Sequence, residues 1–213
     1  MRGRGKGSQF ERDLCRELSL WWTRRKRDDV FWRTSQSGGR SKTRLKSGKR
    51  TFGQYGDVQA VDPRGRPFLE VVTIEAKKGY GNESVWNAVD KLPRGGKLCP
   101  SQWERFLAQV LQDMTNADTP FWMLFHKRDS RANVVFIPEA LYMILPGLGE
   151  ASPGAMIRIP SSLQAIFSTT WAEFQRLVDP DDFRSIAKAH KRGRLEGKVI
   201  KFPKRVVRCR RIV

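Results

Sequence analysis

The chain has 213 residues, of which 39% are hydrophobic, which is enough to build the core of one domain or of a domain with an extension. Its 41 Lys and Arg residues against 22 Asp and Glu give a formal net charge of +19, which favours a polyanionic partner such as nucleic acid. Charge alone leaves a purely architectural nucleic-acid binder open. The 3 cysteines form no CxxC pair, so we expect neither a disulfide framework nor a zinc cluster. Pro and Gly break the longest apolar runs, so we expect no membrane span. A cytoplasmic location fits both expectations.

The first predicted element is a helix over about residues 9–22, where Phe10, Leu14 and Leu18 recur at helical intervals. Ser8 and Glu11 have capping-box spacing, which predicts that the helix begins there. Residues 30–32 are predicted to form a short strand. Residues 35–54, rich in Gly, Ser, Lys and Arg, are predicted to form a flexible basic loop.

Residues 57–61 and 68–77 are strand-like runs joined by Asp62-Pro63-Arg64-Gly65, which favours a type I turn, so we expect a hairpin. Ser101 with Glu104 predicts the start of a second helix with an apolar stripe. Residues 121–125 and 133–137 predict a second hairpin. This order is typical of an α/β or α+β fold with a central sheet.

The C-terminal part is less regular, with repeated Pro and Gly over residues 145–162. Thr170 with Glu173 predicts the cap of a short helix, and Asp179-Pro180 the start of another that reaches about Lys191. The remaining tail is strongly basic and could contact a second DNA arm or act as a nonspecific tether.

Chemistry is suggested at the end of the run over residues 68–77, where Glu75 and Lys77 share a face that begins as core. Taken alone, they could be an ordinary surface ion pair. Asp57 opens the neighbouring predicted strand, however, and two carboxylates that converge beside a lysine favour a bound divalent cation such as Mg²⁺. A metal can activate water against a phosphodiester, while the lysine stabilises the transition state. Gly56-Asp57 could also be only a turn pair.

Gly56-Asp57 followed by Glu75-Ala76-Lys77 resembles the PD-(D/E)XK nuclease motif, with Gly56 where the motif name has Pro. Together with Lys6-Gly7-Ser8, Phe10-Glu11-Arg12, Arg33 and Ser37-Gly38-Gly39, the order and spacing are similar to those of archaeal-type Holliday-junction resolvases over about residues 5–137. The resemblance implies a restriction-endonuclease-like core, a central mixed β-sheet flanked by helices, over residues 1–140. Residues 141–213 would then be a helical and basic C-terminal extension packed on the core.

The resemblance also implies roles for individual residues. Glu11, Asp57 and Glu75 would be metal ligands for Mg²⁺, with Mn²⁺ able to substitute, and Lys77 would be the catalytic lysine. Ser37 would lie near the scissile phosphate. For Glu11 a helix cap is the competing explanation. Related nucleases often have a glutamine on the helix after the lysine strand, which makes Gln102 a candidate, although Gln102 and Gln109 could both simply be solvent-exposed.

Basic residues of the loop, together with one arginine just before it, are predicted to contact the DNA backbone without reading bases. They are Arg33, Arg40, Lys42, Arg44, Lys46, Lys49 and Arg50.

The leading hypothesis is a structure-selective endonuclease that resolves four-way junctions in branched double-stranded DNA by paired nicks, acting on nucleoid or viral DNA. The resemblance implies that it acts as a homodimer. Another nuclease of the same fold, for repair, restriction or replication, and a non-catalytic junction-binding protein are the alternatives. With only His126 and His190, the sequence lacks the ligands of a histidine-rich metal nuclease, and the absence of a GxxxxGK[ST] loop leaves ATP hydrolysis unsupported.

Overall fold

The computed structural model describes residues 3–34, 55–90, 100–149, 154–159 and 164–193. Helix α1 spans Gly3–Trp22, and its Leu14, Leu18 and Trp22 side chains are fully buried. The predicted helix is therefore confirmed, but its predicted start is wrong. Because α1 begins before Ser8, that residue lies inside the helix and does not act as its N-cap.

Strands β1 (Phe31–Arg33) and β2 (Val58–Ala60) pair antiparallel in a small sheet of their own. The predicted hairpin of residues 57–61 with 68–77 is wrong. Asp62 instead caps a 3₁₀ turn over Pro63–Gly65, and helix α2 (Arg66–Leu69) follows directly, with a proline in its first turn. Proline suits that position because the first turn of a helix needs no N–H donor there.

The main sheet contains β3 (Val72–Lys78), β4 (Phe121–Lys127), β5 (Asn133–Pro138), β6 (Ala155–Ile159) and β7 (Gln164–Thr170). Its order is β3-β4-β5-β7-β6. Strands β3 and β4 are parallel and the other pairs antiparallel, so the sheet is mixed. The predicted hairpin of β4 and β5 is confirmed, whereas β6 and β7 were not predicted. Because β7 pairs with β5, residues beyond 140 complete the same sheet.

The remaining helices are α3 (Trp86–Val89), α4 (Gln102–Ala117), α5 (Glu139–Tyr142), α6 (Trp171–Leu177) and α7 (Pro180–Lys191). Three of their predicted starts are confirmed. A complete capping box of Ser101 and Glu104 precedes α4, Thr170 caps α6, and Asp179 caps α7. None of the described helices is both long enough and apolar enough to span a membrane.

Each face of the main sheet carries a hydrophobic core. Alternate residues of β3 and β4, including Ile74 and Phe125, pack with α1, α6 and α7 on one face. On the other face, Trp122 and Leu124 pack against the apolar side of α4. This is the predicted α+β arrangement of a mixed sheet flanked by helices, and β3 lies at the sheet edge that faces β2.

Candidate active site

Asp57 is held rigidly against the edge of β3 by three hydrogen bonds. Its backbone N–H donates to the carbonyl of Ile74 at 2.8 Å, and its own carbonyl accepts from Thr34 N at 3.0 Å. The backbone N–H of Ala76 donates to Asp57 Oδ2 at 2.8 Å. The predicted proximity of Asp57 to the lysine strand is thus present, although a hairpin does not produce it.

Gly56 makes this close approach possible. Its φ is +77°, a conformation open to glycine but closed to proline, whose ring fixes φ near −65°. A Cβ at this position would lie 2.5 Å from the carbonyl oxygen of Ile74. Gly56 therefore departs from the motif's proline for a local structural reason.

Glu75 and Lys77 lie on the β3 face that is covered by α4. The Lys77 Nζ donates a hydrogen bond to Glu75 Oε1 and a second one to Gln109 Oε1 at 3.1 Å. Gln109 Nε2 in turn donates to the same Glu75 oxygen. Glu75 is completely buried, and Lys77 lies 5.7 Å from the centre of the Phe106 ring. Lysine and glutamine together fix the orientation of the Glu75 carboxyl group.

Burial raises the pKa of Glu75 to about 8, and the nearby charge of Asp57 adds to the shift. Burial also raises the pKa of Asp57, against the opposing charge of Lys77 and the Ala76 hydrogen bond. Burial lowers the pKa of Lys77, but the charges of Glu75 and Asp57 outweigh it and leave that pKa above its usual value. Without a further cation the site therefore holds a protonated lysine and a Glu75 that retains its proton at neutral pH.

Glu11 extends from α1 toward the same group. Its Oε2 lies 3.5 Å from the Arg33 guanidinium, and burial followed by the charge of Asp57 raises its pKa. Beneath it, Cys15 is a buried free thiol whose pKa is raised to about 12 by burial and by Glu11 and Asp57. The thiol is therefore neutral and unreactive at physiological pH.

A divalent cation fits the chemistry of Asp57 and Glu75. Both carboxyl groups are buried, and Glu75 Oε2 has no hydrogen-bond partner, so an oxygen suited to a hard cation is left free. No group of three His, Cys, Asp or Glu side chains in the described ranges is arranged to hold a metal. Magnesium is commonly held by one or two carboxylates, its other ligands being water and substrate phosphate, so two suffice. The role of Glu11 as a third ligand stays a prediction.

The other predicted site residues lie in different places relative to the site. Gln109, rather than the predicted Gln102, contacts Glu75 and Lys77. Arg33 is described and pairs with Glu11. Ser37 and the loop residues Arg40, Lys42, Arg44, Lys46, Lys49 and Arg50 lie outside the described residues, as does the basic tail after residue 193.

Comparison with known protein families gives a match over most of the chain. The sequence model of a family described as "Phage putative PDDEXK endonuclease" matches residues 2–185 of the chain. No curated protein and no solved structure matches at a significant level. The matched segment contains Glu11, Asp57, Glu75, Lys77 and Gln109, and it extends through β7 into α7.

Proposed function

Because the chain belongs to the phage PDDEXK endonuclease family, we propose that it cuts DNA by metal-dependent hydrolysis of phosphodiester bonds at Asp57, Glu75 and Lys77. The mixed sheet flanked by helices is the restriction-endonuclease-like fold expected of such a nuclease. The observation that carries the proposal is the buried group itself. Two carboxyl groups and a protonated lysine, fixed by Ala76 and Gln109, have a large desolvation cost that a structural role does not require.

Each residue of the group has its own proposed role in the hydrolysis. Water forms a bond to phosphorus and releases a proton to the solvent while the P–O bond to the leaving alkoxide breaks, and the leaving oxygen takes up a proton from the solvent. A divalent cation held by Asp57 and Glu75, Mg²⁺ in our proposal, would polarise the phosphate and make water more acidic. The Lys77 ammonium donates a hydrogen bond to a phosphate oxygen and stabilises the charge that develops there. Gln109 keeps the lysine and Glu75 in position.

Branched DNA, a four-way junction in the first instance, is the substrate we propose. Support comes from the resemblance of the motif order to archaeal-type resolvases and from the net charge of +19, which suits a partner with several duplex arms. We further propose a homodimer, since two sites related by a two-fold axis match the symmetry of a junction. A nuclease of the same family that acts on linear duplex is the alternative.

The test incubates the wild-type chain with a synthetic four-way junction and with a linear duplex of the same sequences, with and without Mg²⁺. Glu75→Gln and Lys77→Met should each slow cleavage by about 10²-fold or more. Glu75→Gln removes a carboxylate proposed to hold the cation, and Lys77→Met removes the ammonium proposed to stabilise charge on the phosphate. Lys78→Met is the matched control, since Lys78 ends β3 outside the buried group, and its rate should stay within a few fold of wild type.

Paired metal-dependent nicks confined to the junction would support the resolvase proposal. Equal cleavage of both substrates would support the proposed nuclease function but overturn the proposed preference for a junction. Metal-independent cutting, or a Glu75→Gln variant as active as wild type, would overturn the site assignment itself.

A further inference from the structure

A cavity of about 380 Å³ opens beside the proposed active site, on the sheet face that carries α4. Val85, Val134 and Phe136 give it an apolar floor, while Trp86, Arg128 and Arg131 line it as well. Trp86 is 59% exposed although its short helix α3 is anchored by the buried Ala88. This volume is at the lower end of the range of about 300–1,000 Å³ that is typical of small-molecule pockets, so the cavity suits a group the size of one nucleobase.

His126 supplies a buried polar group to this cavity. Its side chain is only 5% exposed, and its Nε2 has no hydrogen-bond partner. A buried polar atom usually has a hydrogen-bond partner, so the free Nε2 indicates that a ligand could supply one. Burial and the charge of Arg128 lower the pKa of His126 to about 4, so the imidazole is neutral and can offer one donor and one acceptor nitrogen.

The cavity is also next to the proposed chemistry. His126 on β4 is the direct partner of Lys77 in the parallel pairing with β3. The Phe106 ring is close to both, with its centre 5.7 Å from Lys77 Nζ and 6.0 Å from the centre of the His126 ring. We therefore expect a nucleotide next to a phosphate bound at Lys77 to lie near the cavity.

The charged and aromatic side chains that line the cavity indicate which class of ligand it can bind. No carboxylate is among the cavity-lining residues of the described chain, and the two arginines suit a phosphate. An exposed indole provides a stacking surface for a base. A base inside a duplex is stacked and paired and does not fit into such a cavity, whereas an unpaired base does.

We propose that this cavity binds one unpaired nucleotide of the DNA strand next to the scissile phosphate. Trp86 stacks on the base, His126 pairs with its edge, and Arg128 and Arg131 hold its phosphate. The inference rests on the proposed nuclease function and extends it, because it adds one unpaired nucleotide beside the cleavage site to what the enzyme binds.

The test measures binding without cleavage, by fluorescence anisotropy of labelled DNA with the full-length chain in EDTA. The probes are a short oligo(dT), the same oligonucleotide with abasic residues, and a blunt duplex. Trp86→Ala should weaken oligo(dT) binding about tenfold, since stacking contributes about 1–3 kcal/mol per base. The variant should also lose the preference of the wild type for oligo(dT) over the abasic strand, and its duplex affinity should change less than twofold. Arg131→Gln should weaken binding of both single strands.

Two matched controls lie near the opposite face of the sheet. Met143, 72% exposed, follows α5, and Arg192 follows α7, and both helices pack into the core on that side. Met143→Ala and Arg192→Gln should bind all three probes as the wild type does. The unfolding midpoints of all variants are compared with wild type, and Trp86→Phe, which keeps an aromatic surface, should restore most of the oligo(dT) affinity.

The outcomes separate this inference from the nuclease proposal. A Trp86→Ala variant that binds oligo(dT) like wild type, or a wild type that binds oligo(dT) and the abasic strand equally, overturns the nucleotide pocket even when metal-dependent cleavage is intact. Selective loss of oligo(dT) binding supports the pocket even when no cleavage is found. Thymidine monophosphate that competes as effectively as oligo(dT) overturns the assignment to a DNA strand.

Discussion

Gly56 and Asp57 show how one backbone conformation can set up a site. The positive φ of Gly56 brings the chain against β3, and Asp57 is then fixed through its N–H, its carbonyl and its carboxylate. The carboxylate needs no support from solvent to keep its orientation. A preorganised carboxylate of this kind does not have to be reoriented when a cation or a phosphate arrives.

Gly56→Ala should lower the free energy of unfolding by about 2 kcal/mol or more, because alanine disfavours a positive φ and its Cβ would collide with the Ile74 carbonyl. Urea denaturation monitored by circular dichroism measures the change. Gly81→Ala is the control, since a Cβ there meets nothing within 4 Å, and its stability should stay within about 0.5 kcal/mol of wild type. Equal stability of the two variants would contradict the role given to Gly56.

At the scale of residues, the sequence predicts site residues well where a motif has fixed spacing. It predicts less well which residues of a helix face the site. Asp57, Glu75 and Lys77 are predicted site residues from the motif and its spacing, and the structure brings them together. The sequence favours Gln102 over Gln109 as the site glutamine, but Gln102 is only the first residue of α4 and Gln109 makes the contacts. Gln109 borders Phe106 and Val110, which face the sheet, so the phase of the apolar stripe was the signal that could have identified it.

At the scale of elements, three of the four predicted helix caps are present, whereas one of the two predicted hairpins is wrong. The capping boxes before α4 and α7 are formed as expected because they depend on residues close in sequence. The hairpin of residues 57–61 with 68–77 does not form, because residues 66–69 form α2 and Phe68 packs in an aromatic cluster with Trp22 and Phe31. Strand pairing depends on such long-range contacts, which local patterns do not contain.

Ser101→Ala should lower the free energy of unfolding by about 1 kcal/mol, since it leaves the Glu104 N–H at the start of α4 without its side-chain acceptor. The matched control is Thr115→Ala, because Thr115 is exposed in the last turn of the same helix and its hydroxyl bonds only the carbonyl of Leu111. Urea denaturation midpoints measure both. A loss at Thr115 as large as that at Ser101 would contradict the importance of the cap.

At the scale of the whole molecule, a sheet edge lies between two helices that carry different parts of the site. Helix α1 brings Glu11 from one side and α4 brings Gln109 from the other, while β3 carries Glu75 and Lys77 between them. The α+β class followed from the order of elements along the chain. Strands β6 and β7 were missed because their Pro- and Gly-rich surroundings resemble a loop, and only their pairing with β5 reveals them.

The stability of the whole fold should depend on pH through His126. Its pKa lies near 4 in the folded protein and near 6.5 in the unfolded chain, so between these values the unfolded chain binds more protons. Stability therefore falls as the pH is lowered through this window, and the contribution is complete only above about pH 6.5. Solvent that reaches the imidazole through the cavity reduces the effect of burial. We therefore expect the free energy of unfolding to be lower by only about 1 kcal/mol at pH 5.

Urea denaturation of wild type and His126→Gln at pH 7.5 and pH 5 isolates this contribution, since the other titrating groups are common to both proteins. The stability difference between wild type and variant should shift by about 1 kcal/mol in favour of the variant at pH 5. His190→Gln is the control, because His190 lies in the last turn of α7 rather than in the core, and its difference from wild type should not follow the same course. A difference between wild type and His126→Gln that is the same at both pH values would show that His126 is already able to take up a proton in the folded protein.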